Sequence, residues 1–152
     1  MFQLAQLLKP ELTFCAVAGV SKKRAIEDAS RLICSEVPTL DENDLYSNLL
    51  AREKLGSTAL GDGIAIPHCR LSGCEQPIVA LMTLADPVDF DASDGQAVDI
   101  LFLLMVPEEA TEEHLELLAG LAGLLNQPGF RRSLREADTA RQLHHNAVSY
   151  QL

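Results

Sequence analysis

Residues 61–68 of this chain read Gly-Asp-Gly-Ile-Ala-Ile-Pro-His. The Gly-Asp-Gly run is typical of a tight turn, and the apolar residues after it predict a buried strand from Ile64 to Ile66. Pro67 fixes its own φ angle and lacks the N–H that a sheet needs, so we expect the strand to end there. The strand end would then hold the imidazole of His68 rigidly. A half-buried histidine satisfied by a backbone carbonyl is the alternative interpretation.

The segments on either side of this stretch predict helices before it, strands around it and helices after it. Ser21 and Asp41 resemble N-caps, and Gly56 is expected to end the second helix. The run 100–106 is apolar at every position, as expected of a central strand covered on both faces. The predicted elements are strands at 12–17, 57–60, 64–66, 78–84 and 100–106, of which the second and third form a pair around the turn, and helices at 22–36, 41–54, 111–126, 130–135 and 138–148. We therefore expect an α/β sandwich over residues 1–152, a single domain in which helices flank both faces of a small mixed sheet.

Composition limits the classes of partner. The chain has 152 residues and a formal net charge of −10, from 22 acidic against 12 basic side chains. That charge repels a phosphate backbone, so we expect no nucleic-acid partner. A basic protein would instead be attracted to the surface.

Other features argue against a membrane or secreted protein. No segment approaches the ~18 uninterrupted apolar residues of a membrane-spanning helix, so no membrane insertion is expected. The first ten residues lack the basic region and cleavage site of a secretory signal. The four cysteines are expected to be reduced thiols, as is usual in a protein of this size in the cytoplasm.

Glycine spacing suggests two nucleotide-binding motifs, and both are incomplete. Gly56 and Gly61 have the separation found in a P-loop, but Asp62 occupies the position of the phosphate-binding lysine. Read as a dinucleotide-binding fingerprint, the stretch has Ile66 at the final glycine position and leads into a strand instead of a helix. We expect no nucleotide cofactor.

Two further side chains, His114 and Arg52, are candidates for a chemical role. His114 falls in the first turn of the predicted helix that Thr111 would cap, at the head of its apolar stripe. Arg52 lies on the inward side of its helix near the C-terminus, where a guanidinium needs an anion. Histidine capping and a salt bridge of Arg52 with Glu53 or Asp62 are the structural alternatives.

Sulfur and nitrogen ligands raise the alternative of a structural zinc site. His68, Cys69, Cys74 and His114 would supply four ligands, although the adjacent residues 68 and 69 converge poorly on one ion. Cys69 has no oxyanion motif to support a role as a nucleophile. We interpret the basic run Lys22-Lys23-Arg24 as a solvated patch.

A family resemblance adds to these observations. Residues 52–68, read together with His114-Leu115, are similar to the EIIA domain of the bacterial phosphoenolpyruvate-dependent phosphotransferase system, in its fructose/mannitol branch. Residues 21–25 and 87–91 also resemble that family, and the likeness spans essentially the whole chain. A single domain of this length most resembles the nitrogen-regulatory EIIA proteins.

The resemblance implies roles for individual residues. His68 would be phosphorylated on Nε2, with His114 as the second histidine of the site and Arg52 as its arginine. Cys69 departs from the glycine that the family commonly has after the phosphorylated histidine, which raises the possibility of a crowded partner approach or of redox sensitivity. A hydroxyl of Ser57 or Thr58 would be a further donor to the phosphoryl group.

The resemblance also implies a function. The protein would accept a phosphoryl group from an HPr-like phosphocarrier, without metal or cofactor, and would signal to regulatory target proteins through its phosphorylation state. The alternative from another class is a purely regulatory module that docks on target proteins and needs no phosphotransfer.

Overall fold

The computed structural model describes residues 2–109 and 112–150. The strands are β1 (Leu8–Val17), β2 (Ala59–Gly61), β3 (Ile64–Ala65), β4 (His68–Leu71), β5 (Ile78–Val88) and β6 (Val98–Pro107). The helices are α1 (Leu4–Leu7), α2 (Lys22–Glu36), α3 (Glu42–Leu55), α4 (Glu112–Leu125), α5 (Pro128–Arg135) and α6 (Ala140–Ser149). None of the helices within the described residues combines the length and the apolar character needed to span a bilayer.

The strands form one mixed sheet in the order β1-β5-β6-β3-β2, and β4 also pairs with β6. β6 is antiparallel to β5 and parallel to both β3 and β4, which lie end to end along it. The turn at Asp62 joins β2 to β3 as an antiparallel pair, as the Gly-Asp-Gly run predicts. The prediction of a small mixed sheet is confirmed.

Helices cover both faces of this sheet, and the pattern of β6 shows why. Because successive strand residues point to opposite faces, Leu101 and Leu103 pack against α2 and α3. Phe102 and Leu104 pack on the opposite face with α4, α5 and α6. The continuous apolar run therefore supplies two cores, which confirms the predicted sandwich.

Pro67 does not end the sheet, contrary to the sequence prediction. The strand is interrupted there and resumes as β4, in which His68 pairs with Leu104 of β6. The missing N–H is tolerated because the Pro67 carbonyl still accepts a hydrogen bond from the Leu104 N–H at 3.0 Å. His68 is thus the first residue of a paired strand, and its backbone is fixed by the centre of the sheet.

The helix ends near the site follow ordinary capping rules. The side chain of Ser21 accepts from the N–H of Arg24 at 3.1 Å, and Asp41 accepts from two N–H groups of the first turn of α3. Gly56 ends α3 as predicted. The predicted cap of α4, Thr111, lies outside the described residues.

Candidate active site

An open cleft of about 500 Å³ lies where the end of α3 meets the starts of β4 and α4. Arg52, His68 and His114 all line it, so the structure brings together the three side chains that the sequence singled out. Asn48, Ala51, Leu55, Cys69 and Arg70 complete its walls.

His68 is held at both ring nitrogens. Its Nδ1 lies 2.7 Å from the carbonyl oxygen of Ile66, which only accepts, so Nδ1 carries the proton. Its Nε2 accepts a hydrogen bond from Nε of Arg52 at 3.3 Å, which requires a lone pair on Nε2. Each contact on its own favours the same neutral tautomer, in which Nδ1 carries the proton and Nε2 carries the lone pair. The contact with the Ile66 carbonyl is also the one expected of a half-buried histidine with only a structural role. The His68 ring, however, borders the cleft as well.

Arg52 spans the site from the last turn of α3. Its Nη1 donates to the carbonyl of Gly56 at 2.9 Å, which satisfies a carbonyl at the helix end. No carboxylate among the described residues lies within ion-pair distance of Arg52, so the salt bridge with Glu53 or Asp62 is not formed. The guanidinium therefore faces the cleft without an anionic partner from the described part of the chain.

His114 is in the first turn of α4 and is only 9% exposed. Its ring centroid lies 6.0 Å from that of His68, and the ring planes are tilted by 51°. Within the described residues, the buried Nδ1 of His114 has no hydrogen-bond partner. A buried polar atom of this kind carries a free-energy cost unless a bound group satisfies it.

Both histidines are held neutral. Burial is the main cause that lowers the pKa of His68 below its ordinary value of 6.5, and the Arg52 charge acts in the same direction. The hydrogen bond to Ile66 and the charge of Glu53 oppose that shift. Burial likewise lowers the pKa of His114, aided by the neighbouring His68 and Arg70. A neutral imidazole at position 68 retains its nucleophilic lone pair near pH 7.

Arg70 is a second cation in the cleft that the sequence analysis missed. It follows His68 by two residues in β4, so the two side chains project from the same face of the strand. Arg70 makes a long hydrogen bond, 3.4 Å, to the carbonyl of Glu108 and is otherwise exposed. Arg70 is placed beside His68 by the continuation of the strand beyond Pro67, which the sequence does not signal.

The hydroxyls of Ser57 and Thr58 are directed away from the cleft. Ser57 donates to the carbonyl of Phe90, and Thr58 donates to Oε2 of Glu53 at 2.7 Å. Neither residue lines the cleft, so the structure gives no support to direct contact between these hydroxyls and a phosphoryl group.

The same region contains a buried ion pair that the sequence analysis also missed. Glu53, whose side chain is 1% exposed, pairs with Nζ of Lys22 at 3.0 Å. Lys22 also approaches the carboxylate of Asp91 at 3.3 Å and lies over the ring of Phe90. The interpretation of Lys22 as part of a solvated patch is therefore wrong, because a buried carboxylate draws its ammonium inward.

Cys69 follows His68 in β4, so its side chain projects from the opposite face of the strand. The residue borders the cleft, but its side chain packs in the core. It is 7% exposed and packs in the cluster formed with α2 and α3. Burial raises the pKa of its thiol to about 12. Among the described residues, no group of three or more histidine, cysteine or acidic side chains is placed to hold a metal ion. The zinc alternative therefore has no support from the geometry of His68, Cys69, Cys74 and His114.

Comparison with known proteins agrees with this arrangement. Residues 6–146 match the family described as "Phosphoenolpyruvate-dependent sugar phosphotransferase system, EIIA 2". The chain is 52% identical to a nitrogen regulatory protein of Pseudomonas aeruginosa over 151 residues, which cover 99% of this chain and 98% of the relative.

Two solved structures show the same fold. The nitrogen regulatory protein IIA-Ntr of Neisseria meningitidis superposes with a TM-score of 0.86 at 41% identity, covering 95% of this chain and 98% of its own. Enzyme IIA for mannitol of Escherichia coli, solved in complex with phosphorylated enzyme IIB, gives a TM-score of 0.76 at 18% identity, covering 95% of this chain and all of its own. The fold, the family match over most of the chain and the identity to its relatives lead to one conclusion: the protein belongs to the EIIA 2 family of the phosphoenolpyruvate-dependent sugar phosphotransferase system and is similar, within it, to the nitrogen regulatory proteins.

Proposed function

We propose that the protein is a phosphohistidine carrier that accepts a phosphoryl group on Nε2 of His68 from an HPr-like phosphocarrier protein and signals through its phosphorylation state. The observation that carries the proposal is the lone pair on Nε2, which borders a cleft shared with Arg52 and His114. The proposal assigns the protein to the cytoplasm, where free thiols stay reduced.

The chemistry is an in-line displacement at phosphorus. Nε2 of His68 forms the new N–P bond as the N–P bond to the donor histidine breaks, and the donor ring, protonated on its other nitrogen, leaves as neutral imidazole with the electron pair of that bond. The proton on Nδ1 stays in place, held by the Ile66 carbonyl. Positioning and charge stabilisation provide the catalysis, because the transferred group resembles metaphosphate in the transition state.

Three side chains stabilise the transferred group in this proposal. Arg52 exchanges its hydrogen bond to Nε2 for hydrogen bonds to phosphoryl oxygens, since the new N–P bond removes the lone pair. His114, whose residue lines the cleft, donates to another phosphoryl oxygen. Arg70, on the same face of β4 as His68, adds a second positive charge against the roughly two negative charges of the phosphoryl group.

Two exposed leucines favour protein partners at this cleft. Leu55, which borders the cleft, is 86% exposed, and Leu115, next to His114, is 64% exposed. Apolar side chains of this size on a surface suit a docked protein better than a small molecule. They support docking of the phosphocarrier and also of regulatory targets, so a purely regulatory binding module is the second candidate function.

Reconstituted phosphorylation tests the proposal. The protein is incubated with phosphoenolpyruvate, enzyme I and an HPr-type carrier, and the acid-labile modification is mapped by mass spectrometry. We expect the modification on His68, none on the His68→Ala variant, and normal labelling of the matched control His145→Ala, whose histidine is exposed on α6. Persistent labelling of His68→Ala would refute the carrier role of His68, and cellular effects that survive in His68→Ala would favour the binding module.

A further inference from the structure

We propose that Glu53 is a positioning residue that orients the His68 ring through the backbone of Thr58. The inference rests on the proposed function, in which Nε2 of His68 is the nucleophile. Glu53 does not line the cleft, so it orients the ring through other groups, besides the direct effect of its charge on the pKa of His68.

The first link is the clamp that Glu53 places on Thr58. Oε1 of the carboxylate accepts the backbone N–H of Thr58 at 2.8 Å, and Oε2 accepts its hydroxyl at 2.7 Å. The ammonium of Lys22 pairs with the same oxygen, Oε1, at 3.0 Å. A buried carboxylate with this many partners holds both of them firmly, because breaking any contact would leave a charge unsatisfied.

The second link leads from Thr58 to the catalytic ring. The carbonyl of Thr58 accepts the N–H of Ile66 at 3.1 Å, and the carbonyl of Ile66 accepts Nδ1–H of His68 at 2.7 Å. The clamp on Thr58 therefore fixes the strand segment that presents the acceptor for Nδ1–H. That acceptor orients the plane of the ring and, together with the Arg52 contact at Nε2, favours the tautomer whose lone pair lies on Nε2.

Glu53 directly follows Arg52 in α3, and both residues act on the His68 ring. Arg52, the preceding residue of the helix, contacts Nε2 of the same ring directly. Consecutive residues of α3 thus control the two ring nitrogens of His68, one directly and one through three hydrogen-bonded links. In this proposal the hydroxyl of Thr58 donates to Glu53 and so holds Thr58 in place. It needs no contact with the phosphoryl group.

Ring orientation in the unphosphorylated protein is the direct test. Long-range ¹H–¹⁵N spectra, recorded at a pH where His68 is neutral, report which nitrogen carries the proton. We expect a well-separated pair of nitrogen resonances for His68 in the wild type. In Glu53→Gln and Thr58→Val the two resonances should move toward each other as the ring gains freedom, although the Arg52 contact still favours the same tautomer. Thr58→Ser keeps the hydroxyl and should match the wild type. So should Asp28→Asn, which changes a buried, paired carboxylate on α2.

Transfer kinetics add a functional readout. We expect Glu53→Gln and Thr58→Val to lower the rate of transfer at saturating HPr-type carrier by about 10- to 100-fold. Losses of this size follow when a residue that orients a metal-binding histidine by a hydrogen bond is replaced. The KM for the carrier should stay within about threefold of the wild type, because the docking surface is intact. Thr58→Ser should restore the wild-type rate.

The outcomes separate this inference from the proposed function. Wild-type tautomer and rate in a folded Glu53→Gln variant would overturn the positioning role. If that variant does not fold, Glu53→Asp decides, because it keeps the buried charge but shortens the side chain that reaches both Thr58 donors, and a wild-type spectrum in it overturns the role as well. A wild type that accepts no phosphate on His68 would overturn the proposed function alone, since the tautomer measurement needs no carrier.

Discussion

Arg52 donates a hydrogen bond to Nε2 of His68, the same nitrogen that we propose forms the bond to phosphorus. The guanidinium therefore lies at the position that the incoming group must enter, and it also caps the end of α3 through the Gly56 carbonyl. Attack by Nε2 requires Arg52 to release the lone pair and move to the phosphoryl oxygens.

Replacement of Arg52 tests that exchange. We expect Arg52→Gln to slow phosphoryl transfer by about 10²- to 10³-fold, because one preorganised charged donor to the transition state is lost. Arg52→Lys should recover part of the rate, since a point charge replaces a fork-shaped donor. The pKa of His68, followed by NMR titration, should rise in Arg52→Gln because the Arg52 charge lowers it in the wild type. An unchanged transfer rate would remove Arg52 from the mechanism.

His114 is expected to assist the reaction without being essential to it. His114→Ala should still accept phosphate on His68 but about 10²-fold more slowly, as for the loss of a preorganised donor. Rapid-quench measurement of the phosphorylated fraction with time gives the rate. Wild-type kinetics in His114→Ala would contradict a role for this ring.

The pH dependence of phosphorylation should follow the protonation of His68. Protonation removes the Nε2 lone pair, so the rate should be level at high pH and fall as the pH drops through the pKa. Because burial lowers that pKa, the midpoint of the fall should lie below pH 6.5, the ordinary value for histidine. Single-turnover transfer from saturating, pre-phosphorylated carrier provides the profile, and a midpoint above the ordinary value would contradict the burial argument.

Arg70 offers a test of charge within the cleft. Arg70→Gln should slow transfer by about tenfold and shorten the lifetime of the phosphohistidine, because less positive charge opposes the phosphoryl oxygens. Arg141→Gln is the matched control, since it makes the same change of net charge at an exposed position on α6. Equal effects of the two substitutions would assign the loss to overall charge and not to the cleft.

Cys69 should matter to stability and not to transfer. Because its side chain lies in the core, Cys69→Gly should lower the free energy of unfolding by about 2 kcal/mol through lost burial and added backbone freedom. Transfer should stay within about threefold of the wild type. Urea denaturation and the phosphorylation assay measure the two effects, and a large rate change would show that the thiol influences partner approach.

Much of the fold could be predicted because its signals are local. The alternating packing of β6 follows from an apolar run without interruption, and Ser21 and Asp41 cap the helices that their sequence positions indicate. Arg52 and His114 could each be placed on the inward side of a helix, but the apolar pattern does not bring them to one site, because α3 and α4 pack on opposite faces of the sheet. Their approach to His68 depends on how the sheet positions α3 and α4.

The missed features depend on contacts between distant segments. The strand after Pro67 forms because β6 offers it a parallel partner, and no residue near Pro67 signals that pairing. Without this strand, Arg70 could not be placed beside His68. Lys22 looked solvated because its partner, Glu53, is 31 residues away in the chain and becomes buried only in the folded protein.

The position of β4 against the middle of the sheet limits how the protein can report its state. His68 begins a strand paired to β6, and the peptide before it is tied to Leu104. Adding a phosphoryl group cannot shift this backbone without disrupting the best-buried part of the molecule. The backbone around His68 therefore stays the same in the unphosphorylated and the phosphorylated protein. A partner that distinguishes the two must respond to the change of charge and to side-chain rearrangement at the mouth of the cleft.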